Sequence, residues 1–534
     1  MRGIFAASFG VVLLEIALGR IFSFTIWYHF SYLTISVALL GFAAAGSLLA
    51  AFPRLLDDVS ALLRQASLTA ALGVAILLFV ASGVSLDPVA VLHEKQQLTN
   101  LAGYYLALMM PFLGAGMAIV GAIAVAPTRI ARLYFWDLAG AALACLAVVP
   151  LIWRFGTPVT VALSATAFCA AAVAFSRPTT PSRVALAIVL ATVTIAVGAT
   201  VEFVPGSKKF LSIHSATGAR PIFQRWTPIN RVDVVAWDET TQDDRLGYRG
   251  WGASPRYDGP GQHFRMIGYD GDSCASMYRW SGAREELDWL HHHVFEAPYL
   301  LTERPRVLVI GVGGGVDILT AIANDAASIV GVELNPITIA LEQGPYAAYN
   351  GGILNRPEVT MVAAGGRHFL RSTADRYDLI EMNSIGTLSA SSSAAYVLPE
   401  SYLHRGRGQR LPLASHARWG LRERDGRLQH PGMAAASYPP AALERCGAPS
   451  RAAASRRRNV TSRSWPAPRG LAMVHTLVKA EPFTAEDMAR LDAFVQTEGF
   501  EYWQRPDRRA SITPRRSYCG AMMRSARHST RGRI

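Results

Sequence analysis

Cysteine is scarce in this chain and follows no pattern: five residues in 534, Cys145, Cys169, Cys274, Cys446 and Cys519, with no CxxC pair among them. That spacing excludes a disulfide framework and a dithiol redox centre, and leaves isolated packing thiols. A metal centre is not expected either, because the one histidine run, His291-His292-His293, would point its rings in different directions from a helix. Lysine is missing from two segments. Residues 404–470 hold 14 arginines and three acids, and residues 505–534 hold nine arginines and one acid. The net charge of +13 belongs to these two stretches, because the remainder carries 29 basic against 35 acidic residues. A basic, nucleic-acid-binding body is therefore excluded.

Long apolar runs are also confined, and they stop at about Val204. Seven of them precede that point, near residues 3–26, 31–53, 66–86, 101–126, 133–153, 156–176 and 184–204. Each approaches the roughly 20 residues that a helix needs to cross a hydrocarbon layer of about 30 Å. The reading is a multi-span α-helical membrane domain over residues 1–206 whose partner is the lipid bilayer. A cleaved leader fits the first run less well, since Glu15 and Arg20 interrupt it and further spans come after it. Glu15, Arg20 and Asp137 fall inside predicted spans, where an ionisable group marks either a polar pathway or an interhelical pair. Gly41, Gly46, Gly114, Gly116, Gly121 and Gly140 lie among alanines and suit close helix packing.

Loop charge gives an orientation. Arg2, Arg54, Arg64, Arg129, Arg132, Arg177 and Arg183 fall on the side of the first residue, against Lys95 and Arg154 in the opposite short loops, which puts the first residue inside. Seven crossings would carry the soluble half of the chain to the outside. Lys208 and Lys209, just after the last run, pull the other way, so charge alone leaves both arrangements open.

After residue 206 the pattern shortens. Arg231–Trp237 and His263–Tyr269 alternate like strands of a small β-rich lead-in domain, residues 207–290, and Glu285–Val294 reads as a helix. Residues 291–403 then repeat β/α units, with strands at Val307–Ile310, Val359–Ala363 and Tyr377–Met382 and a helix around residues 390–402. Such alternation implies a doubly wound parallel sheet. Its first unit, RVLVIGVGGGVDILTAIANDAASIVGVELNP, is strand, glycine turn, helix and strand. Gly311, Gly313, Gly314 and Gly315 let the backbone turn and approach a ligand where a Cβ would collide. The helix from about Val316 would aim its N–H groups at that ligand, and Glu333 ends the next strand, where a carboxylate can accept bonds from ribose hydroxyls. Val316 stands where the dinucleotide fingerprint wants glycine, which favours an adenosylmethionine-type cofactor.

The chain here resembles the spermidine synthase (polyamine aminopropyltransferase) family, in particular its membrane-fused, multi-span bacterial relatives. LLEIALGRIFSF, LYFWDLAGAAL, WTPINRVDVV, the Asp270-Gly271 hairpin, the histidine run in place of Tyr-His-Glu, VLVIGVGGGVDILTAIA, GVELNP, YNGGILNRPEVTMV and GGRHFL carry the resemblance, across most of residues 1–403. It implies a Rossmann-type, methyltransferase-like fold and decarboxylated S-adenosylmethionine or S-adenosylmethionine as cofactor. It also implies an amine substrate, no nucleic acid, a homodimer, and a bacterial inner-membrane location. By position it assigns cofactor binding to Gly311, Gly313, Gly314, Gly315, Asp317, Glu333 and Gly366, and substrate binding to Asp270 and His292.

Departures from the family concern acids. Gly314 replaces the loop aspartate, Gly365 replaces the acid that reaches the adenine amino group, and Asn383-Ser384-Ile385-Gly386 replaces Asp-Ser-x-Asp. Asn383 and Ser384 occupy the catalytic positions, and an amide cannot act as a general base near neutral pH. A histidine of the 291–293 run is one substitute base.

Residues 404–470 show no face and no strand pattern, and their composition is that of GC-rich coding DNA read in a shifted frame, with sheet elements lost. Pattern returns at 471–504, where a strand precedes Thr484, an N-cap with Asp487 three residues on, and an amphipathic helix. Residues 505–534 lose it again. The leading reading is a membrane-bound transferase. The alternatives are a nucleoside-binding relative without turnover, and a transporter with a nucleoside-sensing soluble domain.

Overall fold

Seven long helices open the computed structural model, which describes residues 1–26, 31–84, 86–87, 90–176, 178–206, 209–215, 218–237, 252–383, 417–426, 459–463, 472–479 and 483–504. They are α1 (Arg2–Thr25), α2 (Ser31–Ala51), α3 (Val59–Gly83), α4 (Lys95–Ala124), α5 (Ile130–Phe155), α6 (Thr157–Phe175) and α7 (Pro181–Thr200). All seven are long and apolar enough to cross a membrane, and a helix pairs its own backbone groups as hydrocarbon requires. Small residues bring the helices together. A Cβ on Gly140 would overlap the Phe5 carbonyl oxygen, and one on Gly114 would stand 2.7 Å from the Ala70 nitrogen. Gly46 departs from that expectation, with nothing within 4 Å of its Cβ position.

The two ends of the bundle differ. At one end Ile4, Leu63, Ala122 and Leu133 share a cluster with Phe175, and Ser60 donates to the Phe175 carbonyl at 3.0 Å. That end gathers the first residue and the α2–α3, α4–α5 and α6–α7 connections. The other end carries the rest of the protein. Phe24 and Phe203 meet Trp226 edge-on at 5.5 and 6.2 Å between ring centroids, Gly156 between α5 and α6 lies against Trp226, and Trp153 packs against the apolar cluster that includes Val232 and Ile267.

A short helix, α8 (Phe210–Ser215), leads into an antiparallel sheet of β1 (Arg220–Trp226), β2 (Arg231–Ala236), β3 (Phe264–Tyr269) and β4 (Ser273–Tyr278), paired in that order. Asp270 and Gly271 turn between β3 and β4 with φ of 48° and 70°, the left-handed backbone of a tight hairpin. The Glu285–Val294 region is a 3-10 helix, Arg284–His292, where the sequence pattern suggests an α-helix.

The second sheet comprises β5 (Arg306–Ile310), β6 (Ser328–Glu333), β7 (Val359–Ala363), β8 (Tyr377–Glu381), β9 (Ala417–Gly426), β10 (Asn459–Arg463), β11 (Ala472–Lys479) and β12 (Glu501–Gln504). Between them lie α9 (Val316–Ala323), α10 (Pro336–Gln343), α11 (Gly366–Ser372) and α12 (Ala485–Glu498). The spatial order is β7-β6-β5-β8-β9-β11-β10-β12. Strands β5 to β9 pair in parallel, and β11 runs antiparallel to both β9 and β10. This is a doubly wound sheet, parallel from β7 to β9. Its order reverses between β5 and β8, and ligands in such sheets bind beyond the carboxyl ends at that point. Val307, Leu308 and Val309 are fully buried, as a central parallel strand covered on both faces requires.

Residues 404–470, expected to form no strand, contribute β9 and β10. Thr484 and Asp487 form the expected reciprocal cap of α12. The helix expected around residues 390–402 lies outside the described residues, as do Ser384 and Gly386.

Candidate functional site

Strand β5 ends at Ile310, and the chain reverses through Gly311, Gly313 and Gly315, all left-handed at φ of 82°, 53° and 82°. Gly315 caps α9. Glu333, last residue of β6, reaches across to this loop: the Gly313 N–H donates to Oε2 at 3.2 Å and the Asn335 N–H to Oε1 at 2.8 Å. Burial raises the Glu333 carboxyl above its usual range, while the N–H groups of Asn335, Gly313 and Leu334 act against that rise. Each oxygen keeps a further lone pair for a ligand hydroxyl. Leu334, beside it, is exposed, and the Cβ position of Gly365 meets only Leu334, at 3.9 Å. The edge of the site by β6 and β7 is therefore open and apolar.

On its other side the loop is walled by the lead-in sheet. A Cβ on Gly314 would overlap the main chain of Ser276 in β4, and one on Gly313 would stand 2.9 Å from the Ala275 methyl. The departure at 314 is thus steric as well as chemical, because the space an aspartate would need is filled by Ser276. Gly366 answers to packing too, since a Cβ there would overlap Ile310.

Acids are nevertheless present, and sequence reasoning missed most of them. Asp317, in the first turn of α9, is buried and accepts a hydrogen bond from Asn383 Nδ2 at 2.9 Å. Burial pushes its carboxyl up to about 7, against the pull of that bond. Glu381, last residue of β8, is fully buried beside the Tyr299 hydroxyl, whose hydrogen bond acts against the rise in its range. Burial first, then Asp317 and Glu296, hold it well above the usual carboxylate range. Glu342 of α10 is fully buried with Oε2 3.4 Å from Asn350 Nδ2, and it faces the Cβ position of Gly315 at 3.3 Å. Burial, and then Glu333, raise it strongly. The available signal for Glu342 was its place four residues after Thr338, on the same buried face of α10; for Glu381 it was the carboxyl end of β8.

Asp270 and His292, the residues expected to bind substrate, are both engaged by protein groups. Both Asp270 oxygens are taken, Oδ2 by the Ser23 hydroxyl at 2.8 Å and Oδ1 by the Arg231 N–H at 2.8 Å, with the side chain fully buried where α1 meets the lead-in sheet. Arg20 approaches Asp270 at 4.0 Å and donates to the Ile229 carbonyl. Lys209, also fully buried, donates to the carbonyls of Ser23 and Asp270. The Arg231 guanidinium sits 4.0 Å from the centroid of the Phe24 ring and 2.9 Å from Asp233. His292 is engaged by Glu498 of α12, with Nδ1 3.1 Å from each oxygen. His291 pairs with Glu296 at 3.2 Å, a bond that raises its imidazole above the ordinary value. The three intramembrane candidates do not meet: Arg20 turns to Asp270, Asp137 takes the Ser8 hydroxyl, and Glu15 is half-buried on α1. Among the described residues no group of three or more acids, histidines and cysteines could hold a metal.

No family model matches this sequence, and no curated protein does. Solved structures give a weak likeness. A spermidine synthase in complex with the transition state analogue AdoDATO is 15% identical, with a TM-score of 0.32 over 50% of this chain and 75% of that one. The spermidine synthase from Thermotoga maritima is 15% identical, with a TM-score of 0.33 over the same shares.

Proposed function

We propose that this chain is a membrane-bound transferase that holds S-adenosylmethionine, or its decarboxylated form, beyond the carboxyl ends of β5 and β6 and acts on a small-molecule amine. The observation that carries this reading is Glu333, buried at the end of β6 and oriented by the Gly313 and Asn335 N–H groups. Its remaining lone pairs would receive the ribose hydroxyls, the glycine backbone would lie along the methionine-derived chain, and Leu334 would cover the base. The donor set is carboxylate oxygen and main-chain N–H, which suits a nucleoside. When bound, the cofactor supplies an electrophilic carbon next to its sulfonium.

The proton belongs to the protein. A nucleophilic amine must lose one, and the family position for that task holds Asn383. Asp317 lies 2.9 Å from the Asn383 amide nitrogen, so a carboxyl missing from the strand end is present in space on α9. Its raised range, near neutral pH, suits a group that must both take and release a proton. Asn383 would hold Asp317 in place.

Calorimetric titration of the detergent-solubilised full chain with each cofactor form tests the proposal. Binding of one form is expected, and Glu333→Gln should weaken it by about tenfold or more, the scale of a hydrogen bond to a charged group. Binding of neither form overturns the reading. Binding without methyl or aminopropyl transfer to any amine would leave a nucleoside-binding protein, which the filled space at Gly314 favours as the second reading.

A further inference from the structure

We infer that the soluble domain, and with it the glycine-loop site, lies on the side of the membrane away from the cytosol. The inference rests on the membrane-spanning reading of the seven helices. It does not depend on what the glycine loop binds.

Loop charge alone left two arrangements open, because one span could fail to cross and because Lys208 and Lys209 counted against an outside domain. The fold removes the first. The lead-in sheet touches the C-terminal end of α1, through Ser23 and Phe24, and the α5–α6 connection, through Gly156 and Trp153. The α3–α4 connection belongs to the same end, since Tyr104 near the start of α4 donates to the Val84 carbonyl at 2.7 Å and packs edge-on against Phe22. The opposite end joins Gly3, Ser60 and Phe175. Alternate connections thus fall at alternate ends across all seven helices. The soluble domain sits at the end opposite the first residue.

The second objection fails on count, since Lys208 and Lys209 added to Lys95 and Arg154 make four cations against six arginines, Arg2, Arg54, Arg64, Arg129, Arg132 and Arg183, at the far end. Lys209 is not a surface cation at the headgroups; it is enclosed by protein, its ammonium held by the carbonyls of Ser23 and Asp270, and none of its side chain reaches solvent. Arg20 and Arg231 are likewise buried against Asp270 and Asp233. These cations are internal to the domain junction. At the far end Arg2, Arg54, Arg129 and Arg132 are exposed, and Arg64 and Arg183 partly so. At the domain end the short loops offer Lys95 and Arg154, with Glu94 at the N-cap of the helix that Lys95 begins. The excess of arginine marks the far end as cytosolic.

Substrate and cofactor for this site must then come from outside the cytosol or through the membrane domain. The test is side-specific labelling of the full chain in intact bacterial cells with a membrane-impermeant maleimide, read as the gain over the unmodified chain's own cysteines. Asp258→Cys, exposed in the lead-in domain, should label several-fold above background before permeabilisation. Asp57→Cys, exposed in the α2–α3 connection, should label only after it. The reverse pattern overturns the inference. Equal accessibility of the two positions also overturns it, since both would then lie on one side. Release of the chain from membranes by alkaline carbonate would instead remove the membrane reading beneath it. As a second variant, Arg54→Glu with Arg129→Glu and Arg132→Glu should shift part of the population to the reversed labelling pattern, and an unchanged pattern counts against loop charge as the cause.

Discussion

A single missing side chain at Gly314 separates two accounts of the glycine loop. As a sequence, the loop lacks an aspartate; as a structure, it has no space for one, because β4 lies across it. Gly314→Asp is therefore expected to lower the melting temperature, through an overlap that costs about 1–3 kcal/mol, and not to increase transfer; thermal denaturation and an activity assay together check this. Asp317 gives a pH prediction. Its folded-state range, about 7, lies above the ordinary 3.8, so the native state holds the proton more tightly than the unfolded chain. Its contribution to stability is complete below about pH 4, falls as pH rises, and is lost by about pH 7. Asp317→Asn should flatten the fall in melting temperature between pH 4 and 7, and a profile parallel to the parent's would contradict the assignment. Glu333 and the glycines were legible because strand, turn and acid lie within one short stretch. Glu342 and Glu381 were not, since each depends on which face of α10 or which end of β8 meets the loop, and that is settled by packing between elements.

Helix α12 shows how much a short local signal can specify. Thr484 accepts from the Asp487 N–H at 3.1 Å, and Asp487 accepts in return from the Thr484 N–H at 2.7 Å, as the three-residue spacing implied. Thr484→Ala should cost about 1 kcal/mol, measurable by denaturant titration. The junction between α1 and the lead-in sheet lies at the opposite extreme, because Arg20 and Asp270 gave no sign of each other in sequence. Removing Arg20 alone leaves Lys209 as the buried cation beside Asp270, so the expected cost is about 3 kcal/mol or less, at or below the low end for a broken buried pair. The pair Arg20→Met with Asp270→Asn should cost less than the two single changes added, and strict additivity in a double-mutant cycle would show that the 4.0 Å approach carries no coupling. Strands β9 and β10 were illegible for another reason. They lie in an arginine-rich segment without alternation, and their place in the sheet comes from pairing with β8 and β11.

Across the molecule the apolar runs were the most legible feature, since twenty-residue spans need no partner to announce themselves. The composition of the last 130 residues was less informative than it looked. The full chain contains four lysines, Lys95, Lys208, Lys209 and Lys479, so a lack of lysine does not set residues 404–470 apart. Sequencing of the coding DNA decides between a shifted frame and a native arginine-rich segment. The buried junction has a consequence in time. Ser23 and Asp270 are 247 residues apart, and Arg20 and Ile229 are 209 apart. At roughly 5–20 residues per second of synthesis, the first helix leaves the ribosome some tens of seconds before its partners exist. Until then Arg20 has to be kept hydrated at the bilayer surface, so the helix made first is the one whose seat in the protein is settled last.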